Sequence, residues 1–224
     1  MKKYVIILAC GLGARMQSST PKQYIELNGK PIIFHTIERI WNFDHKYNII
    51  VVINKEHTDL FTQLKNRYAL TVPFSLVFGG AERFYSVKNA LDTITDEYSL
   101  VAIHDGVRPV VEKQMFEQGF CVAATLGNAI CAIKATDSIR LGNEHTNESI
   151  DRSKVFLVQT PQIFKTSVIK KAYSQPFQPT FTDDASVAQN IGENINIIEG
   201  SKTNIKITYT SDLAIAQHFL NNTQ

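Results

Sequence analysis

The chain has 224 residues, of which 44% are hydrophobic and 20% are charged, so it can bury one sizeable α/β core. We expect a single domain over residues 1–224. The formal net charge of +2 is too small for a general nucleic-acid-binding or membrane-surface protein. Any anionic partner is therefore expected to be a small ligand that is held by a local cluster of basic groups.

The cysteines and the N-terminal residues indicate a reducing compartment. Cys10, Cys121 and Cys131 are an odd set in apolar stretches, which is typical of buried thiols and not of a disulfide framework. The apolar run at 4–10 is interrupted at Gly11 and has no cleavage pattern after it, which favours a first core strand over a signal peptide. No apolar run approaches the length of a membrane span. We expect a cytoplasmic protein.

Apolar runs rich in β-branched residues alternate with helix-like periodic segments over the first part of the chain. The predicted strands cover residues 4–9, 48–53, 74–78, 99–104 and 128–132. The predicted helices cover residues 31–41, 57–68, 84–94 and 113–126. This alternation predicts an α/β fold with a mostly parallel sheet and right-handed crossover connections.

The alternation stops after Lys134. Short stretches at 137–140 and 155–158 flank a polar stretch at 141–152, which predicts an extended hairpin leaving the body, an arm over about residues 134–156. Such a hairpin is marginally stable alone in water, so we expect a partner surface and favour a homodimer.

The chain then returns to the body, and a last group of elements is predicted. These are a helix around 184–190, strands at 195–199 and 204–208, and a terminal helix from Ser211. Asp183 and Asp184 suit the first turn of their helix, where carboxylates are favoured. Lys206 lies within a strand pattern, where a lysine usually marks a solvent-facing edge.

The loop after the first strand combines glycines with basic residues. Gly11 and Gly13 let backbone N–H groups approach an anion closely, and Arg15 and Lys22 add two positive charges. A dinucleotide-binding loop would require a third glycine at Met16, and the Gly-Lys-Ser/Thr sequence of a P-loop is absent. The loop resembles a triphosphate clamp, and a surface loop with two solvated cations is the alternative.

Two further loops follow strands at the edge where open α/β sheets bind ligands. Gly79 and Gly80 could let the backbone contact a base, or could form only a tight strand-to-helix turn. Asp105 ends an apolar strand and could meet a metal or a hydroxyl, with Arg108 meeting a phosphate; an Asp–Arg pair that caps the turn is the alternative. His104 is interpreted as a hydrogen-bonded core residue, since no second histidine lies at ligand spacing.

Taken in order, these stretches resemble the 2-C-methyl-D-erythritol 4-phosphate cytidylyltransferase family along nearly the whole chain. The matching motifs are Ala9-Cys10-Gly11-Leu12-Gly13-Ala14-Arg15-Met16, Pro21-Lys22-Gln23-Tyr24, Gly79-Gly80-Ala81-Glu82-Arg83 with Ser86-Val87, His104-Asp105 with Arg108-Pro109, Asp151-Arg152, Gln159-Thr160-Pro161-Gln162, Thr182-Asp183-Asp184-Ala185-Ser186 and Asn204-Ile205-Lys206-Ile207-Thr208. Cys10, Ser138 and Thr210 depart from the usual alanine or glycine, threonine and proline, and none of these changes removes a charged residue.

The resemblance implies a Rossmann-like nucleotidyltransferase fold, in which helices flank a twisted, mostly parallel sheet and a β-arm protrudes. It implies transfer of CMP from CTP to 2-C-methyl-D-erythritol 4-phosphate, with Mg²⁺ bound alongside CTP and Asp105 as the expected protein contact of the metal. The catalytic residues that it implies are Arg15, Lys22, Arg152 and Lys206.

The resemblance also implies the two halves of the binding site. The CTP side comprises Leu8, Ala9, Gly11, Gly13, Arg15, Lys22, Gly80, Ala81, Ser86 and Asp105. The acceptor side comprises Asp105, Arg108, Ser138, Arg152, Thr160 and Lys206. Ser138 and Arg152 would reach in from the arm of a second subunit, so the site would depend on the homodimer. No nucleic-acid or membrane partner is expected.

Two other functions stay open. A ribitol 5-phosphate cytidylyltransferase would share the clamp and the fold, although the sequence at 182–186 favours the methylerythritol branch. A nucleotide-binding regulatory module without activity would need only the donor-side cations, whereas this sequence also carries acceptor-side cations.

Overall fold

The structure, a computed structural model, describes residues 1–11 and 20–222. The strands are β1 (Lys3–Ala9), β2 (Glu26–Leu27), β3 (Lys30–Pro31), β4 (Asn48–Ile53), β5 (Ser75–Phe78), β6 (Leu100–Asp105), β7 (Asn128–Lys134), β8 (Ile139–Gly142), β9 (Asn147–Ile150), β10 (Phe156–Lys165) and β11 (Ile197–Glu199). The helices are α1 (Ile32–Phe43), α2 (Thr58–Arg67), α3 (Arg83–Asp92), α4 (Lys113–Leu126), α5 (Thr166–Tyr173), α6 (Asp184–Gln189) and α7 (Ser211–Asn222).

The central sheet has seven strands in the order β11-β7-β10-β6-β1-β4-β5. Strand β10 runs antiparallel to both of its neighbours, β6 and β7, and the other pairings in the sheet are parallel. The predicted α/β fold with a mostly parallel sheet is confirmed. The predicted strands up to residue 132 and the four helices between them begin and end within two residues of the observed ones.

The middle strands β1, β4 and β6 are buried on both faces, which explains why they are nearly continuous apolar runs. Side chains alternate between the faces along β1. Val5 and Ile7 pack into the core formed with α1, α2 and α4, while Ile6 and Leu8 pack into the core formed with α3, α5 and α6. Polar side chains are therefore accommodated where the strands end.

Strand β10 and helix α5 have no counterpart among the predicted elements. Pro161 lies inside β10, and an interior proline normally argues against a strand. The pairing of β10 with β7 changes register between Val158 and Gln162, so Pro161 falls where the ladder is interrupted. Residues 156–158 pair with the end of β7 and do not form the hairpin of the arm, which corrects the predicted role of the run at 155–158.

The predicted strand at 204–208 is wrong. The segment has no regular secondary structure and pairs with no strand of the described chain. Ile205 and Ile207 pack with Val107 and with residues of α7 in a small separate core, so their alternation reflects packing under a helix. The backbone N–H of Ile207 donates to the carbonyl of Val107 at 3.0 Å, which ties the segment to the loop after β6.

The segment predicted to form the arm contains a separate two-stranded antiparallel sheet of β8 and β9, in which Ile139 lies opposite Ile150. Large apolar side chains in and beside it are solvent-exposed: Leu141 by 60%, Leu157 by 50% and Val158 by 45%. A two-stranded hairpin with this much uncovered apolar surface lacks a core of its own.

The cysteines are unpaired, as predicted, but they are not all buried. Cys131 is buried in β7 and Cys10 is half-buried, whereas Cys121 is exposed on the solvent face of α4, between the buried residues Phe120 and Ala123. Within the described part of the chain, no helix has the length and apolar character that a membrane crossing requires.

Candidate active site

A cavity of about 440 Å³ opens at the carboxyl ends of β1, β5 and β6, where parallel strands leave room for a ligand. Residues from three predicted groups line it together: the end of β1 with Lys22, the loop before α3, and two of the acceptor-side residues. The predicted residues in its wall are Leu8, Ala9, Gly11, Lys22, Gly80, Ala81, Ser86, Asp105 and Lys206. Gly13 and Arg15 lie outside the described residues.

Gln23 contacts the described residues at the end of β1. Its side-chain amide is buried and donates to the carbonyls of Ala9 at 2.8 Å and Gly11 at 3.1 Å. Lys22 lines the cavity, and its ammonium group donates to the carbonyl of Ile207 at 3.0 Å. The donor-side lysine is therefore in contact with the segment that carries Lys206.

The loop between β5 and α3 follows a path that requires glycine at residue 80. A Cβ atom on Gly80 would collide with the Cβ of Tyr85. The backbone N–H of Gly80 donates to Ser86 Oγ at 3.0 Å, and that hydroxyl donates to the carbonyl of Glu82 at 3.1 Å. The turn is tight, and it also forms a wall of the cavity, so the two interpretations of this motif are compatible.

Asp105 gathers two cations on one carboxylate oxygen. Its Oδ2 atom lies 3.1 Å from Arg108 Nε and 3.1 Å from Lys206 Nζ. Burial alone would raise the pKa of the Asp105 carboxyl, but Lys206, Arg108 and Arg83 together hold it well below its ordinary value. The carboxylate is therefore ionised at neutral pH. The Asp–Arg pair at the turn is present, and Lys206 extends it towards the cavity.

Arg108 and Thr160 lie behind the cavity wall. Arg108 is buried, and its Nη1 donates to the carbonyl of Asn204 at 2.7 Å. The hydroxyl of Thr160 is also buried and accepts from the backbone N–H of Asp105 at 3.0 Å. Neither residue occurs among the described residues that line the cavity. Their contacts shape the surroundings of Asp105.

His104 is a hydrogen-bonded core residue, as predicted. Its Nε2 atom faces the carbonyl of Arg108 at 3.3 Å, and its Nδ1 atom lies 3.1 Å from the hydroxyl of Thr160. Burial lowers the pKa of His104 to about 4, so the ring is neutral at physiological pH. Because Nε2 must donate to the carbonyl, Nδ1 accepts the proton of the Thr160 hydroxyl.

Ser138 and Arg152 lie at the base of the arm, and both are exposed. Arg152 Nη1 donates to the carbonyl of Thr136 at 2.6 Å. Neither residue belongs to the cavity wall formed by residues 1–11 and 20–222 of the same chain. Within a single chain, these two predicted site residues therefore do not join the other predicted residues in the described cavity wall.

The described wall of the cavity offers few ligands to a metal ion. Among the described residues, no group of three or more histidine, cysteine, aspartate or glutamate side chains could hold a metal ion. The acidic side chains in the described wall are Glu82 and Asp105, and one oxygen of Asp105 already contacts two cations. Mg²⁺ commonly binds through phosphates and one or two carboxylates.

Gln23, Glu82 and Arg83 also line the cavity, although no role is predicted for them. Gln23 and Arg83 belong to the motifs on which the resemblance depends, but their contacts are with residues distant in sequence. The carbonyls that Gln23 joins lie 12 and 14 residues away. The partner of Arg83, Asp184, lies 101 residues away. Such pairings have no local signal in a single sequence.

The comparisons with known proteins agree over the whole chain. Residues 3–222 match the protein family described as 2-C-methyl-D-erythritol 4-phosphate cytidylyltransferase. A protein of that name from Azobacteroides pseudotrichonymphae is 41% identical over 218 residues, which are 96% of this chain and 97% of the relative. One from Bacteroides fragilis is 38% identical over 220 residues, covering 98% of this chain and 100% of the relative.

Solved structures show the same fold. The crystal structure of 4-diphosphocytidyl-2C-methyl-D-erythritol synthase from Anaerococcus prevotii superposes with a TM-score of 0.82 at 26% identity, covering 98% of this chain and 96% of the other. The Francisella tularensis 2-C-methyl-D-erythritol 4-phosphate cytidylyltransferase gives a TM-score of 0.81 at 29% identity, covering 98% and 100%. The likeness thus extends over nearly the full length of each chain.

Proposed function

The chain belongs to the 2-C-methyl-D-erythritol 4-phosphate cytidylyltransferase family of nucleotidyltransferases, and on this basis we propose how its cavity transfers CMP from CTP to 2-C-methyl-D-erythritol 4-phosphate. The products are 4-diphosphocytidyl-2-C-methyl-D-erythritol and pyrophosphate, in the non-mevalonate route to isoprenoid precursors. The observation that carries this proposal is the meeting of a donor-side lysine, Lys22, and an acceptor-side lysine, Lys206, in one cavity.

The reaction needs positioned charges and no covalent intermediate. An oxygen of the acceptor phosphate forms a bond to the α-phosphorus of CTP, while the bond from that phosphorus to the β-phosphate oxygen breaks and pyrophosphate leaves. The attacking phosphate is already ionised at neutral pH, so no general base is required. Catalysis then consists of alignment and of stabilising negative charge on the phosphorus oxygens.

The donor half of the cavity would hold CTP. Backbone groups of Leu8, Ala9, Gly11 and Gly13 would face the triphosphate, and the loop at 79–82 with Ser86 would surround cytosine and ribose. Lys22 and Arg15 would stabilise the charged phosphorus. The ammonium of Lys22 is held by the carbonyl of Ile207 and lines the cavity, which supports this role.

The acceptor half would use Lys206 as the cation for the methylerythritol phosphate. Asp105 fixes this ammonium at 3.1 Å and would also face a hydroxyl of the acceptor, with Arg108 and Thr160 holding Asp105 in place. A Mg²⁺ ion bound to the triphosphate would neutralise part of its charge, and Asp105 would be its carboxylate contact. We expect the enzyme to act in the cytoplasm.

The arm would complete the acceptor half as part of a homodimer. The partner subunit's Arg152 and the partner subunit's Ser138 would contact the methylerythritol phosphate. The exposure of Leu141, Leu157 and Val158 supports an interface here, because an apolar surface of this kind is normally covered.

The experiment that tests the assignment measures pyrophosphate release from CTP and Mg²⁺ with each of two acceptors. We expect turnover with 2-C-methyl-D-erythritol 4-phosphate and much slower turnover with ribitol 5-phosphate. A preference for ribitol 5-phosphate would overturn the acceptor assignment. Binding of CTP without pyrophosphate release from any acceptor would indicate a regulatory module instead.

A pair of lysine variants tests the acceptor-side cation. Lys206→Ala is expected to lower kcat/KM by about two to three orders of magnitude, by analogy with the loss of one oxyanion donor. Lys202→Ala removes the same charge from an exposed position four residues earlier and serves as the matched control. Equal activity of the two variants would contradict the role of Lys206.

A further inference from the structure

Arg83 lies in the cavity wall, but its guanidinium pairs with Asp184, which is not among the described residues of that wall. Its guanidinium donates to both oxygens of Asp184, from Nη1 to Oδ1 at 2.8 Å and from Nη2 to Oδ2 at 2.6 Å. The Asp184 side chain is fully buried, whereas Arg83 keeps 32% of its side-chain surface exposed. We propose that Arg83, Asp184 and Tyr173 form a positioning triad that holds the base-side loop of the CTP site in its binding geometry.

This inference rests on the proposed function and deepens it, because it names residues that shape the donor pocket without being expected to touch CTP. The phenol of Tyr173 donates to Asp184 Oδ1 at 2.6 Å and is itself buried. Burial raises the pKa of Tyr173 well above its ordinary value, and the Asp184 carboxylate adds to the effect, so the phenol remains a donor. Both carboxylate oxygens of Asp184 thus have hydrogen-bond partners within the protein. We therefore assign the residue a positioning role and not a contact with CTP.

The base-side loop depends on this pair because Arg83 is the first residue of α3 and follows the loop at 79–82 directly. No side-chain cap closes the start of α3. The bonds from Gly80 to Ser86 and from Ser86 to Glu82 join the loop to its own helix. At the start of the loop, the backbone N–H of Gly79 donates to the carbonyl of Ile53 in β4 at 2.9 Å. The Arg83–Asp184 pair ties that unit to a different element, α6.

Tyr173 supports the same helix a second time. Its ring stacks on the ring of Phe84, the next residue of α3, with 4.7 Å between the centroids. The tyrosine therefore contacts α3 through packing and contacts Asp184 through its hydroxyl. Moving Asp184 would disturb both contacts, and α3 would carry the loop with it.

Helix α6, which begins at Asp184, is fixed by hydrogen bonds at its N-terminus. Asp183 caps α6 in a reciprocal pair with Ser186. The side-chain amide of Gln162 on β10 donates to Asp183 Oδ2 at 2.8 Å and accepts from the backbone N–H of Ala185 at 2.8 Å. Gln162 lies two residues after Thr160, which contacts Asp105. The base-side loop and the acceptor-side carboxylate are thus fixed to the same strand.

Asp184→Asn tests the triad because it keeps the size of the side chain and removes its charge. We expect the dissociation constant and KM for CTP to rise about tenfold, since a hydrogen-bonded charge pair is lost, while KM for the acceptor changes little. Arg83→Lys cannot form the two-pronged contact and should show the same selective defect. Tyr173→Phe should show it more weakly.

Thr166→Val is the matched control for lost stability. Thr166 shares a buried hydrogen bond of 2.8 Å with Ser99, at the end of β6 opposite to Asp105. The control should lower the melting temperature and leave both KM values unchanged. The triad is supported if the triad variants raise KM for CTP while Thr166→Val, at a similar melting temperature, does not.

The triad is overturned if Asp184→Asn lowers the melting temperature as the control does and leaves KM and the dissociation constant for CTP at the unmodified values. Should Asp184→Asn fail to fold, Arg83→Lys and Tyr173→Phe decide the question by the same readout. An unmodified protein that binds CTP but releases no pyrophosphate would contradict the proposed function, whereas the CTP dissociation constants of the variants would still test the triad.

Discussion

At the scale of single residues, Asp105 organises the part of the cavity that is proposed to bind the acceptor. Its Oδ2 atom contacts Lys206 and Arg108, and Thr160 fixes its backbone. Buried ion pairs add little net stability, because desolvation offsets the attraction. Their value here lies in preorganisation, since a cation that is already placed needs no rearrangement when charge develops on a phosphate.

The neutral state of His104 gives a testable pH dependence. Its pKa in the folded protein, about 4, lies below its ordinary value of 6.5, so the unfolded chain binds more protons between these pH values. Stability is therefore present above pH 6.5 and is lost as the pH falls towards 4. At pH 5 we expect a loss of about 2 kcal/mol from this residue.

The measurement is urea unfolding at pH 7.5 and pH 5 of the unmodified protein and of His104→Asn. An asparagine oxygen can still accept from the Thr160 hydroxyl but does not titrate, so the variant should show a smaller loss of stability between the two pH values. The same loss in both proteins would contradict the assignment to His104.

The residues of the site could be predicted only in part. Lys22, Asp105 and Lys206 belong to local motifs, and the structure places all three in the cavity wall. The sequence could not show that Thr160 is turned towards His104 or that Asp184 pairs with Arg83, because both contacts join residues more than 50 positions apart.

At the scale of elements, the loop before α3 has a constrained path and also lines the cavity. Gly80→Ala would force a Cβ into the Cβ of Tyr85, so the loop must move. We expect weaker binding of CTP as the main result, measured by calorimetry.

Gly127→Ala is the control for this change. Gly127 ends α4 with a φ of +96°, so alanine there costs about 1 kcal/mol of stability at a site that is remote from the cavity wall. The control should keep its affinity for CTP. Equal affinities of the two variants and the unmodified protein would show that the path of the loop is not needed for binding.

Elements with a clear periodic pattern could be predicted, and those determined by long-range pairing could not. Strand β4 is apolar from its second residue onward, and its predicted bounds equal the observed ones. Strand β10 contains a proline and two glutamines, and it forms because β6 and β7 supply partners on both sides. The segment at 204–208 has the alternating pattern of a strand, but its apolar side chains pack against helix α7 and its backbone pairs with no strand of the described chain.

At the scale of the whole molecule, the arm predicts that two chains share each active site. Arg152→Ala and Lys206→Ala proteins should each be nearly inactive alone. A mixed dimer contains one chain of each variant. The site on the Arg152→Ala chain keeps its own Lys206 and receives the partner subunit's Arg152, whereas the site on the Lys206→Ala chain lacks both side chains.

Equal amounts of the two variants, unfolded together and refolded, should therefore recover about a quarter of the unmodified activity, because half of the dimers are mixed and half of their sites are intact. Each variant refolded alone is the control. Recovery no greater than the controls would show that the arm serves its own chain or that no dimer forms.

The position of β10 also has a consequence for synthesis on the ribosome. The first 105 residues contain β6, β1, β4 and β5, which can pair in the order that they keep in the finished sheet. Until residue 165 has emerged, however, β6 presents an unpaired edge, since the strand that belongs beside it is made after β7. An exposed edge is open to pairing with other chains. The nascent chain should therefore be most prone to aggregation, and most dependent on chaperones, while residues 106 to 165 are being added.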